Sequence, residues 1–500
     1  MRHLLFSDNI HFSYKNYSEL FDFLKSENIA YKMDQSIVAE QFKKNWGNLD
    51  NHCFNEIFNS TEYCQVSIED TIYKNYNLEE LIQDELFFVI SSLDDYRINY
   101  NNNMSIYEFA KLNFPIVIQN LYSIAKYWVD YWEKTISARE FFAGVTFGGN
   151  TIYSKTFIYT LKKLNLPCYI VEHFFTGNDF YMEMRYSPLP NNGYFMNKNS
   201  SIIHWLDKLY LRNNKNVTQP IYKSINYFNY ILILGQVYND FSVIAGKNKY
   251  KNSISFYKEL ILEILDNTQE TIIFKAHPYE KNKVRNNLLT TLEELEYFRL
   301  TLSKHHQDRF ILLNEFNMDS LFQNSHHAVT LTSQSGLESM LYCKPIVTFG
   351  DAFYSHKGFT IDCNDIFDYI EKLKNKEIKV NFSFIESYSA FMSQVFDSLV
   401  GVGESYKLSN ILKGLVQLDS KIQRPISTTK KESNKSQIVS RSSKNIVSVS
   451  NKSNEQSISV DRKSDSYGVK RKLKKLLKNP KSFFLDSRYP TLRNIGKFLK

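Results

Sequence analysis

The sequence predicts an α/β protein with two Rossmann-like domains, followed by a linker and a basic tail. Apolar runs of strand length alternate with amphipathic helical patterns in residues 138–185, and again from Tyr230 onward. This alternation is typical of parallel sheets whose strands are joined by helices. The 500 residues also exceed the size at which one hydrophobic core keeps growing. We predict four regions with the boundaries 1–220, 221–426, 427–466 and 467–500.

In the first region, the opening MRHLLFSDN has the pattern of a strand followed by a loop. Residues 15–135 carry long amphipathic patterns, such as SIYEFAKLNFPIVIQNLYSIAKYWVDYW from Ser105, and predict a helical insertion. After them, FFAGVTFGG reads as a strand running into a turn, a helix follows from about Thr151 to Leu164, and CYIVEHFF reads as a strand.

The second region has a more regular alternation. Strand-like runs are ILILGQV, TIIFKAHP, RFILLNE, AVTLTS and PIVTFG, and the segments between them have helical patterns, one of them at Asn286–Ser303. Two such halves facing a cleft form the architecture of the GT-B glycosyltransferases, which is the fold we predict. The interdomain crossing is expected in the Pro-, Asn- and Gly-rich stretch from Pro188 to about Asn216.

The positive charge of the chain is concentrated at its C-terminal end. Residues 427–500 hold 19 Lys and Arg against 5 Asp and Glu, whereas residues 1–426 hold 42 against 48. The body is therefore mildly acidic, which argues against nucleic acid as a partner. Thirteen serines and no aromatic residue in 427–466 predict a disordered linker. The basic, Leu- and Phe-containing segment 467–500 predicts an amphipathic tail on an anionic membrane surface, with a purely solubilising tail as the alternative.

Cysteines and targeting signals add little. The five cysteines are scattered without a Cys-x-x-Cys or Cys/His cluster, so reduced thiols and no metal site are expected. The N-terminus lacks the apolar run of a signal peptide, and no stretch reaches the length of a membrane-spanning helix. We expect a cytoplasmic protein.

Three stretches of the second half combine polar residues with the end of a strand, where ligands bind in parallel sheets. The first is LTSQSGLES, in which small residues and a helix start would admit a phosphate. Ser335 is equally suited to be an ordinary N-cap, with Glu338 completing a capping box. A glutamate at this place can also reach a ribose diol, so the two interpretations are compatible.

The second and third stretches are FKAHP and GQVYND. Lys275 and His277 place a cation and a titratable imidazole at a strand end, where they can hold an anion or move a proton; a structural histidine is the alternative. Asp240 follows the strand ILIL and is either a turn residue or a carboxylate able to attack an anomeric carbon. In the first half, Glu172 or His173 would face the same cleft.

Other enzyme classes lose support because their motifs are missing. The chain contains no GxGxxG with a downstream acid, no P-loop and no GxSxG. Dehydrogenase, kinase and serine hydrolase functions are therefore disfavoured.

Taken together, GQVYND, FKAHP and TSQSGLESMLYCKPIVTFGDAFYSHKGFT resemble the bacterial capsule polysaccharide synthesis family of β-Kdo transferases, over about residues 230–362. The family often has Gly where this chain has Cys343, and a Trp-Gly pair at His356-Lys357-Gly358. VEHFF matches the family more loosely, and residues 1–135 hardly at all.

The resemblance implies a GT-B fold, CMP-β-Kdo as donor and retention of configuration through a covalent adduct on Asp240. It further implies that His277 assists catalysis, and it makes Glu172 the candidate acid/base. The residues that it implies for substrate binding are Gln236, Lys275, Ser333, Gln334, Ser335, Gly336 and Glu338, with Glu338 on the ribose and Lys275 on the phosphate or the sugar carboxylate.

From this we expect a retaining β-Kdo transferase at the cytoplasmic face of the inner membrane. It would need no metal or other cofactor, and its acceptor would be a lipid-linked capsule or O-antigen glycan. Alternatives are another transferase using a CMP-nonulosonate or a UDP-sugar, and a non-catalytic capsule assembly or export factor. Asp240, His277 and Glu338 in one chain favour the enzyme.

Overall fold

The structure is a computed structural model that describes residues 3–35, 66–100, 104–137, 140–174, 179–188, 228–244, 249–278, 280–283 and 289–412. Within these ranges the strands, in chain order, are β1 His3–Phe6, β2 Tyr31–Met33, β3 Ile72–Tyr73, β4 Tyr76–Asn77, β5 Phe141–Phe147, β6 Cys168–His173, β7 Phe180–Met184, β8 Tyr230–Leu234, β9 Ile272–Lys275, β10 Phe310–Leu313, β11 Ser325–Thr330, β12 Ile346–Thr348, β13 Thr360–Asp362 and β14 Leu399–Val400.

The helices of the first half of the described chain are Ser18–Ser26, Leu78–Ile90, Asp94–Asn99, Ile106–Asn113, Pro115–Ser137 and Ile152–Lys163. Those of the second half are Phe241–Ile244, Ser253–Asn267, Glu280–Lys283, Thr291–Thr301, Lys304–Arg309, Met318–Asn324, Ser335–Ser339, Ile366–Lys374, Phe382–Ser398 and Tyr406–Ile411, with a short 3₁₀ turn at Met340–Tyr342.

The first sheet has the strand order β14-β7-β6-β5-β1-β2. Strands β2, β1, β5 and β6 run parallel, and β7 and β14 pair antiparallel at one edge. Strand β14 comes from the far end of the described chain, which helix Phe382–Ser398 carries back to the first sheet. Residues 399–400 therefore join the first sheet, although they fall within the region 221–426 assigned from the sequence to the second domain.

The second sheet has the order β10-β9-β8-β11-β12-β13, and all of its strands are parallel. The strand order reverses between β8 and β11, which is the point where open α/β sheets bind their ligands. The predicted α/β class with two Rossmann-like domains, the architecture of GT-B proteins, is thereby confirmed.

The second sheet is buried because helices cover both of its faces, as parallel sheets require. Every residue of β8 is buried, and so is the inner face of helix Ser253–Asn267, which contributes Phe256, Leu260 and Ile264. Continuous apolar strands of this kind are what the sequence pattern ILIL indicated.

The helical insertion is built around the long helix Pro115–Ser137. The amphipathic pattern from Ser105 to Trp132 is split in two, because Pro115 lacks the N–H that would continue the preceding helix and instead starts a new one. Trp132 is fully buried and donates its Nε1–H to the carbonyl of Tyr153 at 2.8 Å. The insertion is thus fixed to the first turn of the helix that follows β5.

The local sequence determines where two of the helical segments begin or end. The helix expected from Asn286 begins at Thr291, because Thr290 and Glu293 form a capping box that fixes its start. Cys343 ends a helical turn in the left-handed region with φ of 53°. Glycine adopts that conformation without strain, whereas a residue with a side chain does so at a cost.

The predicted linker 427–466 and tail 467–500 lie outside the described residues. In the part of the chain that is described, no helix is both long and apolar enough to cross a membrane.

Candidate functional site

The carboxyl ends of β8, β9 and β11 bring the three sequence motifs to one edge of the second sheet. Leu234 pairs with Lys275, and the N–H of Gly235 donates to the carbonyl of Lys275 at 2.8 Å. A side chain on Gly235 would press against that carbonyl and the ring of Phe274. Close approach of the neighbouring strand therefore explains this glycine.

A buried hydrogen-bond network joins GQVYND to LTSQSG across the reversal point. The Gln236 side chain is 4% exposed, and its Oε1 accepts from Oγ1 of Thr332 at 2.8 Å and from the Thr332 N–H at 3.3 Å. Nε2 of Gln236 donates to Oγ of Ser242, which lies 2.8 Å from Oγ1 of Thr332. Gln236, predicted as a substrate ligand, thus holds the loops after β8 and β11 together.

A second tie joins GQVYND to FKAHP. Glu280, three residues after His277, is buried and accepts hydrogen bonds from the backbone N–H of Tyr238 and from Thr291. Burial raises the pKa of Glu280 to about 7, against the lowering effect of these bonds and of the Arg97 charge. The loop that carries Asp240 is consequently fixed from both sides, to β11 by Gln236 and to the segment after β9 by Glu280.

Asp240 lies half-buried at the start of the short helix Phe241–Ile244. Its Oδ1 accepts from the Ser242 N–H at 2.9 Å, and its carbonyl accepts from the Val243 N–H at 3.0 Å. The Asp240 carboxylate therefore stabilises a turn, which is one of the two roles considered for it from the sequence. The same contact fixes its orientation at the edge of the sheet, as a nucleophile requires.

Lys275 and His277 follow each other at the end of β9. Lys275 is buried, and its Nζ donates to the carbonyl of Ala276 at 2.8 Å. Burial lowers the pKa of Lys275, with the charge of the exposed Glu315 acting in the opposite direction. A desolvated ammonium of this kind gains from an anion placed beside it. His277 is half-buried.

The turn after β11 differs from the predicted capping box. The helix Ser335–Ser339 is preceded by Gln334 without a side-chain cap, so of the two interpretations left open by the sequence, the one with Ser335 as an N-cap does not hold. The N–H groups of Gly336 and Leu337 donate to the carbonyls of Ser333 and Gln334. The helical turn therefore starts one residue before the start expected for a Ser335 cap. Ser333, Gln334 and Ser335 remain half-buried at this edge.

Gly336 has a packing reason for lacking a side chain. A Cβ at this position would lie 2.3 Å from Oη of Tyr354, which donates to the Ser333 carbonyl. The small residue that the sequence suggested for close approach of a ligand thus admits a buried tyrosine that braces the turn from behind.

Glu338 is the acidic residue of this turn. Burial raises the pKa of Glu338 to about 7, with a further contribution from the negative charge of Asp319 and an opposing hydrogen bond from Ser335. A carboxyl group near half-ionisation at neutral pH can accept the hydrogen bonds of a ribose diol once it is ionised.

This raised pKa has a consequence for stability. The folded protein holds the Glu338 proton more tightly than the unfolded chain, so stability falls as pH rises from about 4.5 to about 7. We expect Glu338→Gln to remove this loss and to be about 1–3 kcal/mol more stable than the parent at pH 8, because a neutral amide needs no desolvation of charge. Urea unfolding at pH 5 and pH 8 measures the difference.

The matched control is Glu371→Gln, a change at an exposed glutamate in helix Ile366–Lys374. It should leave the pH dependence of unfolding unchanged. A Glu338→Gln protein that loses stability between pH 5 and pH 8 as the parent does would contradict the assignment.

Glu172, the candidate from the first domain, lies half-buried at the carboxyl end of β6. A Cβ built on Gly148, in the turn after β5, would lie 3.3 Å from its Oε2. Glu172 therefore belongs to the edge of the first sheet, beside the glycine turn.

One helix bridges the two edges. In helix Leu78–Ile90, Asp84 accepts from Nδ2 of Asn150, in the turn after β5, at 3.0 Å. One helical turn further on, the ring of Phe88 lies 5.7 Å from that of Phe241, the residue after Asp240. Since one turn advances about 5.4 Å, the ends of β5 and β8 face each other across a short distance.

Sequence reasoning missed Thr332, Ser242 and Glu280, the partners that fix the loops. Thr332 and Ser242 are polar residues within or directly beside the quoted motifs, and Glu280 follows the His-Pro pair, but pairing among them depends on strand order. Among the described residues, no group of three or more His, Cys, Asp or Glu side chains is placed to hold a metal ion.

Parts of this chain are similar to known proteins. Residues 191–393 match the model of a family described as capsule polysaccharide biosynthesis protein. The capsule polysaccharide export protein KpsS of Escherichia coli is 23% identical over 159 residues, which are 31% of this chain and 39% of that protein.

Similar solved structures include two of KpsC from Thermosulfurimonas dismutans. The β-Kdo 2,4 transferase is 17% identical with a TM-score of 0.35, and covers 50% of this chain and 79% of its own. The β-Kdo 2,7 transferase is 14% identical with a TM-score of 0.34, and covers 58% and 89%. The UDP-GlcNAc 2-epimerase of Methanocaldococcus jannaschii is 14% identical with a TM-score of 0.31, and covers 62% and 94%.

The family match spans the whole second sheet and all three motifs that end its strands. Residues 191–393 of this chain are thus similar to the capsule polysaccharide biosynthesis family, in agreement with the family resemblance found in the sequence.

Proposed function

We propose that the protein is a retaining β-Kdo transferase that moves Kdo from CMP-β-Kdo to a surface-glycan acceptor. The observation that carries the proposal is the cross-linking of the three motifs, by Gln236 to Thr332 and by Glu280 to Tyr238. A carboxylate, a histidine, a buried lysine and a second carboxylate are thereby held at the reversal point of one parallel sheet, where a nucleotide sugar fits.

In the proposed reaction, Asp240 attacks the anomeric carbon of Kdo and the bond to the phosphate oxygen breaks, releasing CMP. The acceptor hydroxyl then attacks the same carbon, its proton leaves to a base, and the Asp240 carboxylate is restored. Two displacements retain the configuration.

Repulsion is the main obstacle to the first step, because Kdo carries its own carboxylate on the anomeric carbon. Lys275 and His277 at the neighbouring strand end offset that repulsion and the charge of the departing phosphate. We assign the nucleotide to the turn Ser333–Glu338, with Glu338 on the ribose. The proposed reaction uses no metal or other cofactor.

The first sheet is less suited to the nucleotide. Glu85 is buried, and its Oε2 accepts the N–H of Ile152 at 2.6 Å, at the N-terminus of helix Ile152–Lys163. The protein's own carboxylate therefore takes the position where a helix would otherwise bind phosphate. This supports placing the donor on the second domain and the acceptor on the first.

A second candidate function is a non-catalytic capsule assembly or export factor, which the similarity to the E. coli export protein KpsS favours. A third is transfer from another CMP-nonulosonate or from a UDP-sugar.

A donor assay separates these functions. Full-length protein is incubated with CMP-Kdo generated in situ and a synthetic glycan acceptor, and the product is examined by mass spectrometry. The proposal expects an added Kdo. If only CMP-sialic acid or a UDP-sugar supports transfer, that compound is the donor in place of CMP-Kdo. If none of the donors supports transfer, the result favours the non-catalytic assembly or export factor.

We further propose that residues 467–500 bind the anionic cytoplasmic face of the inner membrane, close to a lipid-linked capsule or O-antigen acceptor. From Lys470 to Lys500 the chain has eleven Lys and Arg and one Asp. Deleting 467–500 should abolish sedimentation with vesicles containing anionic lipid and spare transfer to a soluble acceptor. Unchanged binding of the shortened protein to the same vesicles would discard this anchor.

A further inference from the structure

The carboxyl edge of the first sheet holds a buried cluster that has no role in the assignments above. The strand order of the first sheet also reverses. Strands β1 and β5 are neighbours, and the chain continues to β2 on one side of this pair and to β6 on the other. The residues that follow β1 and β5 therefore lie at the ligand-binding point of the first domain.

Asp8, just after β1, is fully buried and is the centre of the cluster. Its Oδ1 accepts from the backbone N–H groups of Ile10 and His11 at 2.9 and 2.8 Å, and its Oδ2 accepts from Oγ of Ser7 at 3.0 Å and Oη of Tyr153 at 3.1 Å. Burial would raise the pKa of Asp8, but the hydrogen bonds and the charge of His11 outweigh it, and the pKa lies below its usual value. Asp8 is thus an ionised carboxylate.

The ring of His11 is held in one orientation by this carboxylate. Its Nδ1 lies 3.1 Å from Oδ1 of Asp8, and the ring stacks on Phe147 with centroids 4.5 Å apart and planes 3° apart. With Nδ1 as the donor to Asp8, Nε2 of the neutral ring is the nitrogen that accepts a proton. The His11 side chain is 16% exposed, so solvent or a ligand reaches its edge.

The position of this pair suits a group that acts on the acceptor. Tyr153, which touches Asp8, lies three residues after Asn150, and Asn150 is bonded to the helix that bridges to Phe241 beside Asp240. The Asp8–His11 pair and the proposed nucleophile therefore lie on the two facing edges that the bridging helix Leu78–Ile90 joins.

We propose that His11 is the catalytic base for the acceptor, and that Asp8 and Tyr153 are its positioning residues. The inference rests on the proposed function. As the acceptor oxygen bonds to the anomeric carbon, its proton passes to Nε2 of His11, and the bond from that carbon to Asp240 breaks. The acid/base role moves from Glu172 to His11, because the contact with Asp8 and the stacking on Phe147 fix the imidazole in one orientation, with Nε2 as the nitrogen that takes the proton.

The two half-reactions give a direct test on full-length protein. Release of CMP and formation of the covalent Kdo adduct need no base, whereas transfer to the acceptor does. For His11→Gln we expect adduct formation at the parental rate and transfer slower by about 10²–10⁴-fold. The adduct should accumulate, as seen by intact mass. Asp8→Asn should behave in the same way to a smaller degree.

Azide separates a catalytic from a structural role. Azide attacks without losing a proton, so it should discharge the adduct of His11→Gln as fast as that of the parent. His305→Gln, a change at an exposed histidine in helix Lys304–Arg309, is the matched control and should leave both half-reactions unchanged.

Four results would overturn the inference. Parental transfer by His11→Gln would do so and leave the proposed function intact. Equal slowing of adduct formation, transfer and azide discharge would reduce His11 to a structural residue, and adduct accumulation in Glu172→Gln alone would return the role to Glu172. A parent protein that releases no CMP from CMP-Kdo overturns the proposed function and this inference with it.

Discussion

Asp240→Asn is expected to lower Kdo transfer by about 10³-fold or more and to eliminate the covalent Kdo adduct, because an amide oxygen is a poor nucleophile. The fold should be preserved. Oδ1 of Asp240 accepts the backbone N–H of Ser242, and an asparagine carbonyl accepts the same bond. Intact mass after incubation with CMP-Kdo, together with CMP release, measures the effect.

The comparison with Asp240→Ala distinguishes the chemical role from the structural one. Alanine removes both the nucleophile and the turn, so it should cost stability as well as activity, whereas Asp240→Asn should unfold at the parental urea concentration. An adduct that persists in Asp240→Asn would move the nucleophile to another residue. If both variants transfer Kdo at the parental rate, Asp240 has only the structural role of forming the turn.

The second sheet was predictable because its strands are buried on both faces. The run ILIL is apolar throughout and AVTLT is largely so, and each ends in polar residues at the edge where parallel strands meet ligands. Strand order was not predictable in the same way. The Gln236–Thr332 pair spans 96 residues, and a contact of that separation leaves no local pattern in the chain.

The first domain shows the same limit more strongly. Its parallel strands β1, β5 and β6 were expected, but β14 comes from residues 399–400 and pairs with β7, which the alternation of elements does not reveal. Asp8 and His11 lie in a loop, SDNIH, that has no motif. Their significance depends on Tyr153, 145 residues after Asp8, and on the order of the strands.

Glycines were the least reliable signals of a ligand site. Gly336 was read as a place where the backbone approaches a ligand, yet Gly336 and Gly235 each leave room for a neighbouring part of the protein. A glycine at a strand end indicates that another group approaches the backbone closely. Only the structure shows whether this group is a ligand, a strand or a side chain such as that of Tyr354.

Arg97→Ala is expected to destabilise the protein by about 3–5 kcal/mol, because it removes one partner of a buried charge network between the two domains. The Arg97 side chain is 6% exposed, donates to the Leu289 carbonyl at 3.1 Å and lies 3.6 Å from Glu294. Its guanidinium also covers the ring of Tyr238 at 4.2 Å. Urea unfolding measures the change.

Lys258→Ala is a matched control because it removes the other cation on the same carboxylate. Nζ of Lys258 lies 2.9 Å from Oε2 of Glu294, but its side chain is 35% exposed. A solvent-exposed pair of this kind contributes about 0–1 kcal/mol. Equal effects of the two substitutions would show that the junction is as hydrated as the surface, contrary to the burial of Arg97.

The same residue links the domain junction to the proposed chemistry. Arg97 covers Tyr238, whose N–H is held by Glu280, and Tyr238 lies two residues before Asp240. Arg97 also lowers the pKa of Glu280, so its loss would leave that carboxyl more protonated and its bond to the loop weaker. We therefore expect Arg97→Ala to slow adduct formation on Asp240 even at temperatures where the protein stays folded. Arg97→Lys should restore most of the stability but less of the rate, because lysine keeps the charge without the planar group that stacks on the ring.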